Sequence, residues 1–343
     1  MDNLRYFATF EKYTLRFKKP AGTSRGYLTE KPSWLVYIED RENGLRATGE
    51  CSIIPGLSAD DIPDLERFIA KSCQDFNVNQ QLVIPVIKKP LPALTFAWEM
   101  ALLDLQNGGR QIYFDSDFTR GTKSIFINGL IWMGSRDSML QQVGQKLKED
   151  FHCIKLKIGS LNFEEELEIL KSIRKQYGYD LELRLDANGA FSTEEANEKL
   201  EKLSGFKIHS IEQPIKPGQL EAMAELCRNS PIPIALDEEL ISIYEYEEKC
   251  FLLEKTQPQY IILKPSLVGG FAHADEWIAI AEKKNIGWWA TSALESNIGL
   301  NAIAQWVGAK ETTMPQGLGT GSLYTNNLPS PLILEGENLK FKA

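Results

Sequence analysis

From Ser124 onward the chain repeats one unit: a short apolar run ending in polar or charged residues, an amphipathic segment, then the next apolar run. The runs are Ser124–Leu130, Ile154–Ile158, Leu181–Asp186, Ile208–Glu212, Ile234–Asp237, Tyr260–Lys264, Gly287–Thr291 and Thr313–Gly317. Each has the length of a β-strand. The segments between them carry helix start signals, as in Ser192-Thr193-Glu194-Glu195, where a serine N-cap is followed three residues later by a glutamate. Strands alternating with helices at this spacing pair in parallel, and eight of them close into a barrel. Beyond the eighth run, residues 324–343 contain Pro329, Pro331 and the run Leu332-Ile333-Leu334 without a helical period. The expected architecture is therefore an α/β fold, a (β/α)7β modified TIM barrel lacking its last helix.

The first hundred or so residues do not follow this pattern. Strand-like runs at Thr9–Phe17 and Trp34–Asp40 are joined through Ala21–Gly26, a small-residue stretch expected to be a mobile loop, and Gly49–Ser58 reads as a second loop. Helical periodicity marks Ser58–Asp75 and Leu94–Asn107. The division expected is an α+β capping domain over residues 1–118, the barrel over 119–322, and a tail over 323–343 that packs back on the cap. A chain of 343 residues with 43% hydrophobic residues is large enough to bury such a core unaided. Its formal net charge of -9 opposes an electrostatic grip on nucleic acid or anionic lipid. Five scattered cysteines without a C-x-x-C pair read as reduced packing residues. The N-terminus alternates like a strand rather than running apolar like a signal peptide, and no stretch has the length of a membrane span. A cytoplasmic location with no membrane or nucleic-acid partner is expected; the oligomeric state is left open.

In a barrel of this kind the chemistry sits at the C-terminal strand ends. There the second run carries Lys155 and Lys157, whose alternation puts both on one face about 6.6 Å apart. Asp186 ends the third run, Glu212 the fourth, Asp237 the fifth and Lys264 the sixth. The steps from Lys157 to Lys264 are 29, 26, 25 and 27 residues, each one strand-helix unit. Taken singly, a K-x-K is usually a solvated strand edge, Asp186-Ala187-Asn188-Gly189 a turn, and Asp237-Glu238-Glu239 the acidic start of a helix. Five charged residues at the same point of consecutive units do not arise from packing alone. Three carboxylates converging on one barrel mouth repel one another unless a cation joins them, and an all-oxygen set favours Mg²⁺, with Mn²⁺ able to take its place.

Lys155–Gly159 (KLKIG), Leu185–Asn188 (LDAN), Ile211–Pro214 (IEQP), Ala235–Glu239 (ALDEE) and Ile262–Gly270 (ILKPSLVGG) together resemble the enolase superfamily, muconate-lactonizing subgroup. Within it the resemblance is nearest to the o-succinylbenzoate synthase family of menaquinone biosynthesis. Ile127–Leu130, Ser292–Ser296 and Gln316–Gly321 extend the likeness through the barrel, and Gly49–Ser58 and Ala97–Asp104 extend it into the cap. The resemblance implies Asp186, Glu212 and Asp237 as metal ligands and a lysine base, the arrangement general to that superfamily. It implies that Lys157 removes the α-proton of 2-succinyl-6-hydroxy-2,4-cyclohexadiene-1-carboxylate and then protonates the departing hydroxyl. Lys264 stays cationic opposite, and Lys155 repels a second positive charge beside Lys157. Asn188 and Arg184 share the face of Asp186 and are expected to orient the ligands. Ser292, Gly319, Asn128 and Arg25 are the candidates for holding the rest of this small carboxylate substrate, Arg25 by closing over the site from the cap.

The same residues serve an N-acylamino acid racemase or dipeptide epimerase of that superfamily, with the two lysines as opposed bases. Dipeptide epimerases typically carry Asp-x-Asp at the eighth strand, where this chain has Leu318-Gly319-Thr320. A Schiff-base aldolase also uses a barrel lysine, but has no use for the three carboxylates.

Overall fold

The computed structural model of the chain describes residues 4–23, 26–310 and 312–342. The N-terminal part is an antiparallel meander of β1 (Tyr6–Thr23), β2 (Gly26–Asp40) and β3 (Leu45–Ser52), followed by helices α1 (Leu65–Asn79) and α2 (Pro92–Gln106). Val36, Ile38, Ala47 and Cys51 bury against Ile69, Phe76, Leu94 and Trp98 in a core separate from that of the barrel.

Three expectations change here, the first being Gly49–Ser58, of which Gly49–Ser52 belongs to β3 and pairs with Ser33–Val36. Residues 21–23 and 26–28 are paired strand rather than loop: Ala21 pairs with Leu28, Gly22 with Tyr27 and Thr23 with Gly26, after a register shift beyond Arg16. Backbone pairing carried up from the long strands below outweighs the low strand propensity of the small residues. Ser24 and Arg25 lie outside the described residues. The first helix begins at Leu65 and not at Ser58, because Pro63 interrupts the run and the side chains before it are engaged elsewhere. Ser58 Oγ accepts from Ile54 N at 2.8 Å, and the buried Asp60 carboxylate accepts from Ala93 N and Leu94 N, each at 3.1 Å, at the start of α2.

The run expected as the first barrel strand is split. β4 (Ile125–Phe126) pairs with the C-terminal hairpin, while β5 (Gly129–Ile131) enters the barrel. Six parallel strands follow in sequence order, namely β6 (Cys153–Lys157), β7 (Glu182–Asp186), β8 (Ser210–Glu212), β9 (Ile234–Leu236), β10 (Tyr260–Leu263) and β11 (Gly287–Ala290). Two parallel bridges, Ile127 to Gln316 and Thr291 to Gly317, close the barrel through the eighth run. That strand is only two residues long because Pro315 has no N–H to give to a neighbour. The Gln316 side chain adds to the closure, accepting from Ala290 N at 2.7 Å.

Helices α3 (Arg136–Lys148), α4 (Phe163–Tyr177), α5 (Thr193–Ser204), α6 (Leu220–Asn229), α7 (Tyr246–Thr256), α8 (Pro265–Val268), α9 (Phe271–Lys283) and α10 (Asn297–Gly308) lie between the strands. The Ser192 and Glu195 capping box is present at α5. Among the described residues no helix follows Gly317, which completes the (β/α)7β arrangement. Along each strand, alternate residues go outward to the helices: Leu156, Leu185, Ile211, Leu236 and Leu263 join the large core, and the lysines, carboxylates and Trp289 take the other face.

The cap docks through buried polar groups. Glu99 of α2 accepts from Phe271 N, and from Ala272 N at 3.1 Å, so a cap carboxylate caps barrel helix α9. Gly270 makes this approach feasible: at φ 95° a Cβ there would lie 2.0 Å from Glu99 Oε2. Glu50 of β3 accepts from Ser296 N at 2.9 Å and Gly299 N at 2.9 Å at the start of α10. Residues 323–326 run beside β1, where Lys18 N donates to Leu323 O at 2.8 Å. Residues 332–341 fold as the hairpin β12 (Leu332–Glu335) and β13 (Asn338–Phe341) onto β4.

Candidate active site

The parallel register sets the strand ends side by side: Lys157 is level with Asp186, and Asp186 with Glu212. Lys157 Nζ donates to Asp186 Oδ2 at 2.9 Å and to Asn188 Oδ1 at 2.7 Å. Lys155 Nζ donates to Glu212 Oε2 at 2.7 Å and stands 3.5 Å from Asp186 Oδ2. Lys264 Nζ donates to Asp237 Oδ2. All three carboxylates are buried. Burial opposes ionisation of Asp186, but Lys157, Lys155 and Lys264 outweigh it and hold its carboxyl well below the usual range. Burial likewise opposes the Lys264 charge, and Asp237, Glu238 and Asp186 outweigh it and raise its pKa. For Lys155 the same contest, against Glu212 and Asp186, also ends above the ordinary value. Glu212 is the exception. Burial, reinforced by Asp186 and Asp237, pushes it up to about 7 despite the Lys155 bond.

Among the described residues no three acidic, histidine or cysteine groups stand assembled as a ready ligand set, since each carboxylate is drawn to its lysine. The donor set nevertheless fits a hard cation. Glu212 Oε1 is buried without a partner, and a divalent ion beside Asp186, Glu212 and Asp237 would satisfy that oxygen and remove the repulsion that raises its pKa.

Several groups that the sequence did not single out hold these residues. Glu238, next to Asp237, is buried, receives Asn188 Nδ2 at 3.0 Å and keeps Oε2 unpartnered; burial and Asp237 raise its pKa. Gln213 fixes the end of β9, its Oε1 accepting from Asp237 N and Glu239 N at 3.2 Å each, and its Nε2 donating to Glu239 Oε2 at 3.0 Å. The triple acid 237–239 was the available signal. Only the fold shows that its three members face different partners.

Asn188 lies between Lys157 and Glu238, with its own N–H on Asp186 Oδ1 at 3.1 Å. Arg184 is placed differently from the expectation. It is fully buried one layer below Asp186, donates to Glu182 Oε1 and Pro315 O at 2.8 Å each, and stacks 4.4 Å from the Trp289 ring. It builds the barrel floor and makes no bond to the three carboxylates, because a two-residue step along a strand keeps the face but moves the side chain about 6.6 Å away from the mouth.

Above the strand ends is a cavity of about 250 Å³. Its wall includes Lys155, Lys157, Asp186, Asn188, Glu238 and Lys264 on one side and Asn128, Thr291, Ser292, Gly317 and Gly319 on the other; Leu28, Ile54, Pro55 and Leu57 of the cap roof it. The cavity offers three ammonium groups beside Asp186 and Glu238 beneath an apolar cover, suited to a small carboxylate with an apolar body. Asn128, Ser292 and Gly319 thus border it, while Arg25 is outside the described residues.

Residues 138–337 match the Enolase C-terminal domain-like family. An o-succinylbenzoate synthase of Desulfotalea psychrophila is 48% identical over 96% of this chain and 97% of its own length. The crystal structure of MenC from the same organism superposes with a TM-score of 0.82 at 44% identity, covering 98% of this chain and 99% of that one. A dipeptide epimerase of Enterococcus faecalis, complexed with Mg and the dipeptide L-Leu-L-Tyr, shares the fold with a TM-score of 0.84 at 22% identity, over 98% and 97% of the two chains.

Proposed function

The chain belongs to the enolase superfamily, and on that premise we propose that it catalyses o-succinylbenzoate synthesis, the dehydration of 2-succinyl-6-hydroxy-2,4-cyclohexadiene-1-carboxylate. The observation that carries this reading is the pairing of two partly buried lysines, Lys157 and Lys264, in one cavity, with Asp186, Glu212 and Asp237 on the strands between them. The 48% identity to an o-succinylbenzoate synthase over nearly the whole length supports the substrate.

In this reading Asp186, Glu212 and Asp237 hold a divalent cation, Mg²⁺ by the hardness of the ligands. When bound, it supplies positive charge to the substrate carboxylate as the α-proton leaves. Lys157, as the free amine, takes that proton, and the electron pair of the broken C–H bond moves toward the carboxylate. The pair then returns to form the new C=C bond as the C–O bond breaks. The same Lys157, now an ammonium, gives its proton to the departing hydroxyl, so that water leaves from the same face and the ring becomes aromatic. Lys264 faces the developing negative charge, and its Asp237 partner keeps it protonated. Asn188 holds Lys157 in line through the 2.7 Å bond. Lys155, paired with Glu212, anchors the carboxylate ring. Leu28, Ile54 and Leu57 exclude water from the reacting carbon. Residues 1–118 serve as cap, 119–322 as catalytic barrel and 323–343 as the closing tail, in the cytoplasm. Among the described residues no helix is long and apolar enough to cross a membrane.

The test is incubation of the protein with Mg²⁺ and the cyclohexadiene substrate, following loss of the diene absorbance. Retained absorbance together with exchange of the α-proton of N-succinyl amino acids would instead establish the racemase.

A further inference from the structure

A buried ammonium group is costly unless its donors find acceptors and its charge is answered. Lys31 of β2, which the dehydration does not use, is fully buried. Burial lowers its pKa against the pull of Glu50 and Glu295. Its Nζ donates to Ser52 Oγ. Ser52 Oγ in turn lies 3.0 Å from Ser33 Oγ, and Ser33 Oγ donates to Glu50 Oε1 at 2.9 Å. The direction of every bond in this chain is fixed, because a serine hydroxyl has one proton. That of Ser33 goes to Glu50, so that of Ser52 goes to Ser33, and Ser52 must accept from Lys31. The chain runs from cation to carboxylate through two hydroxyls, each bond polarising the next.

Both ends of the chain bear on the cavity. Ser52 is the last residue of β3, and beyond it the backbone leaves the sheet to form the roof, with Ile54, Pro55 and Leu57 on the cavity wall. The departing segment has only a long backbone bond to β2, Ile53 N to Pro32 O at 3.4 Å, and the next bonds are local, Leu57 N and Ser58 N donating to Ile54 O at 3.0 Å each. At the other end Glu50 accepts from Ser296 N and Gly299 N at 2.9 Å each and from Ser296 Oγ at 2.6 Å, all at the start of barrel helix α10. Lys31 thus stands where the cap sheet gives way to the roof, and its charge is directed at a carboxylate fastened to the barrel.

We propose that Lys31 is a positioning residue which, acting through Ser52, Ser33 and Glu50, holds the roof segment 53–58 closed over the cavity. This deepens the o-succinylbenzoate reading and rests on it for the kinetic consequence. A roof closed for only part of the time weakens apparent affinity by the closed fraction, and saturating substrate restores closure. Loss of the link therefore shows in KM and spares kcat. A lysine that only stabilised the cap would lower Tm and leave KM of the folded enzyme unchanged.

The test is Lys31→Met, which keeps an unbranched side chain of similar length and removes the charge and the donors. Amide hydrogen exchange of the unliganded protein, read by mass spectrometry, should quicken about tenfold over residues 53–58 and stay within about twofold over α1 and the barrel helices. With the cyclohexadiene substrate and Mg²⁺, KM should rise about tenfold with kcat within about twofold. Ser33→Ala interrupts the chain and keeps both charges; it should move exchange at 53–58 and KM about threefold, and it decides the matter if Lys31→Met does not fold. Unchanged exchange at 53–58, faster exchange throughout the cap, or a fall in kcat at unchanged KM each overturns the proposal. Faster exchange confined to 53–58, in a protein whose wild type does not dehydrate the substrate, overturns the proposed activity and supports the roof link.

Discussion

Glu212→Gln separates what the active site needs from what the fold prefers. Glu212 is fully buried, and its pKa is pushed from the ordinary 4.5 up to about 7 by burial and by Asp186 and Asp237. A rise of that size means that holding Glu212 ionised costs the folded protein about 3 kcal/mol. Glutamine has the same shape, carries no charge and still presents an oxygen to Lys155 Nζ. The bond at 2.7 Å becomes one to a neutral acceptor, at a loss of about 1–2 kcal/mol. Asp186 stays at 3.5 Å as counter-charge for Lys155. The net expectation at pH 8 in EDTA is a variant about 1–2 kcal/mol more stable. With an unfolding entropy of about 0.7 kcal/mol per kelvin for a chain of this length, Tm should rise by about 2 °C. The sign of the pH dependence follows from the raised pKa. The stability tied to Glu212 is fully present below its unfolded value near 4.5 and is lost as pH rises through about 7, so the two proteins should converge at low pH and separate above neutrality. Mg²⁺ should raise the wild-type Tm and not that of the variant, and the variant should lose turnover. Differential scanning calorimetry from pH 5 to pH 8, with EDTA or Mg²⁺, reads all of this. A variant several degrees less stable than wild type in EDTA at pH 8, or one still stabilised by Mg²⁺, would refute the argument.

Three further outcomes are expected. Lys157→Ala should abolish dehydration, whereas Lys264→Arg, which keeps the cation, should retain more activity than Lys264→Ala; steady-state kinetics decides, and a Lys264→Arg variant as inactive as Lys157→Ala would point to a second base. Gly270→Ala puts a methyl group 2.0 Å from Glu99 Oε2 at a positive φ, and should cost about 2–4 kcal/mol. Thermal unfolding of Gly270→Ala/Glu99→Ala should show less than the sum of the single losses, because the clash is then gone. Arg184→Met removes the donor to Glu182 and Pro315 O and should lower Tm by several degrees with Mg²⁺ affinity within about twofold; a tenfold loss of affinity would return Arg184 to orienting the ligands.

The alternation of apolar strand and amphipathic helix was legible in the sequence, because a parallel barrel writes itself as a repeat of local patterns. Lys155, Lys157, Asp186, Glu212, Asp237 and Lys264 were legible for the same reason. All but Lys155, which lies two residues inside β6, stand at a strand end; strand ends in such a barrel share one mouth, and the step of one unit from Lys157 to Lys264 carries their neighbourhood into the sequence. The pairing of 21–23 with 26–28 was not legible, since it comes from register carried up from the long strands below. Nor was the split of the first run between β4 and β5, which depends on a hairpin more than 200 residues later in the chain.

Side-chain commitments lay entirely in the tertiary structure. Sequence position puts Thr291 and Ser292 side by side at a strand end with the same chemistry. Only the fold brings Glu295, Leu294 N and Thr320 to Ser292 and leaves Thr291 facing the bare backbone of Gly317. Likewise Arg184 and Asp186 share a strand face, and depth in the barrel alone separates a floor from a mouth. Periodicity is a property of the backbone and is written along the chain; a hydrogen bond needs two groups, and its second partner comes from whichever segment the fold places there.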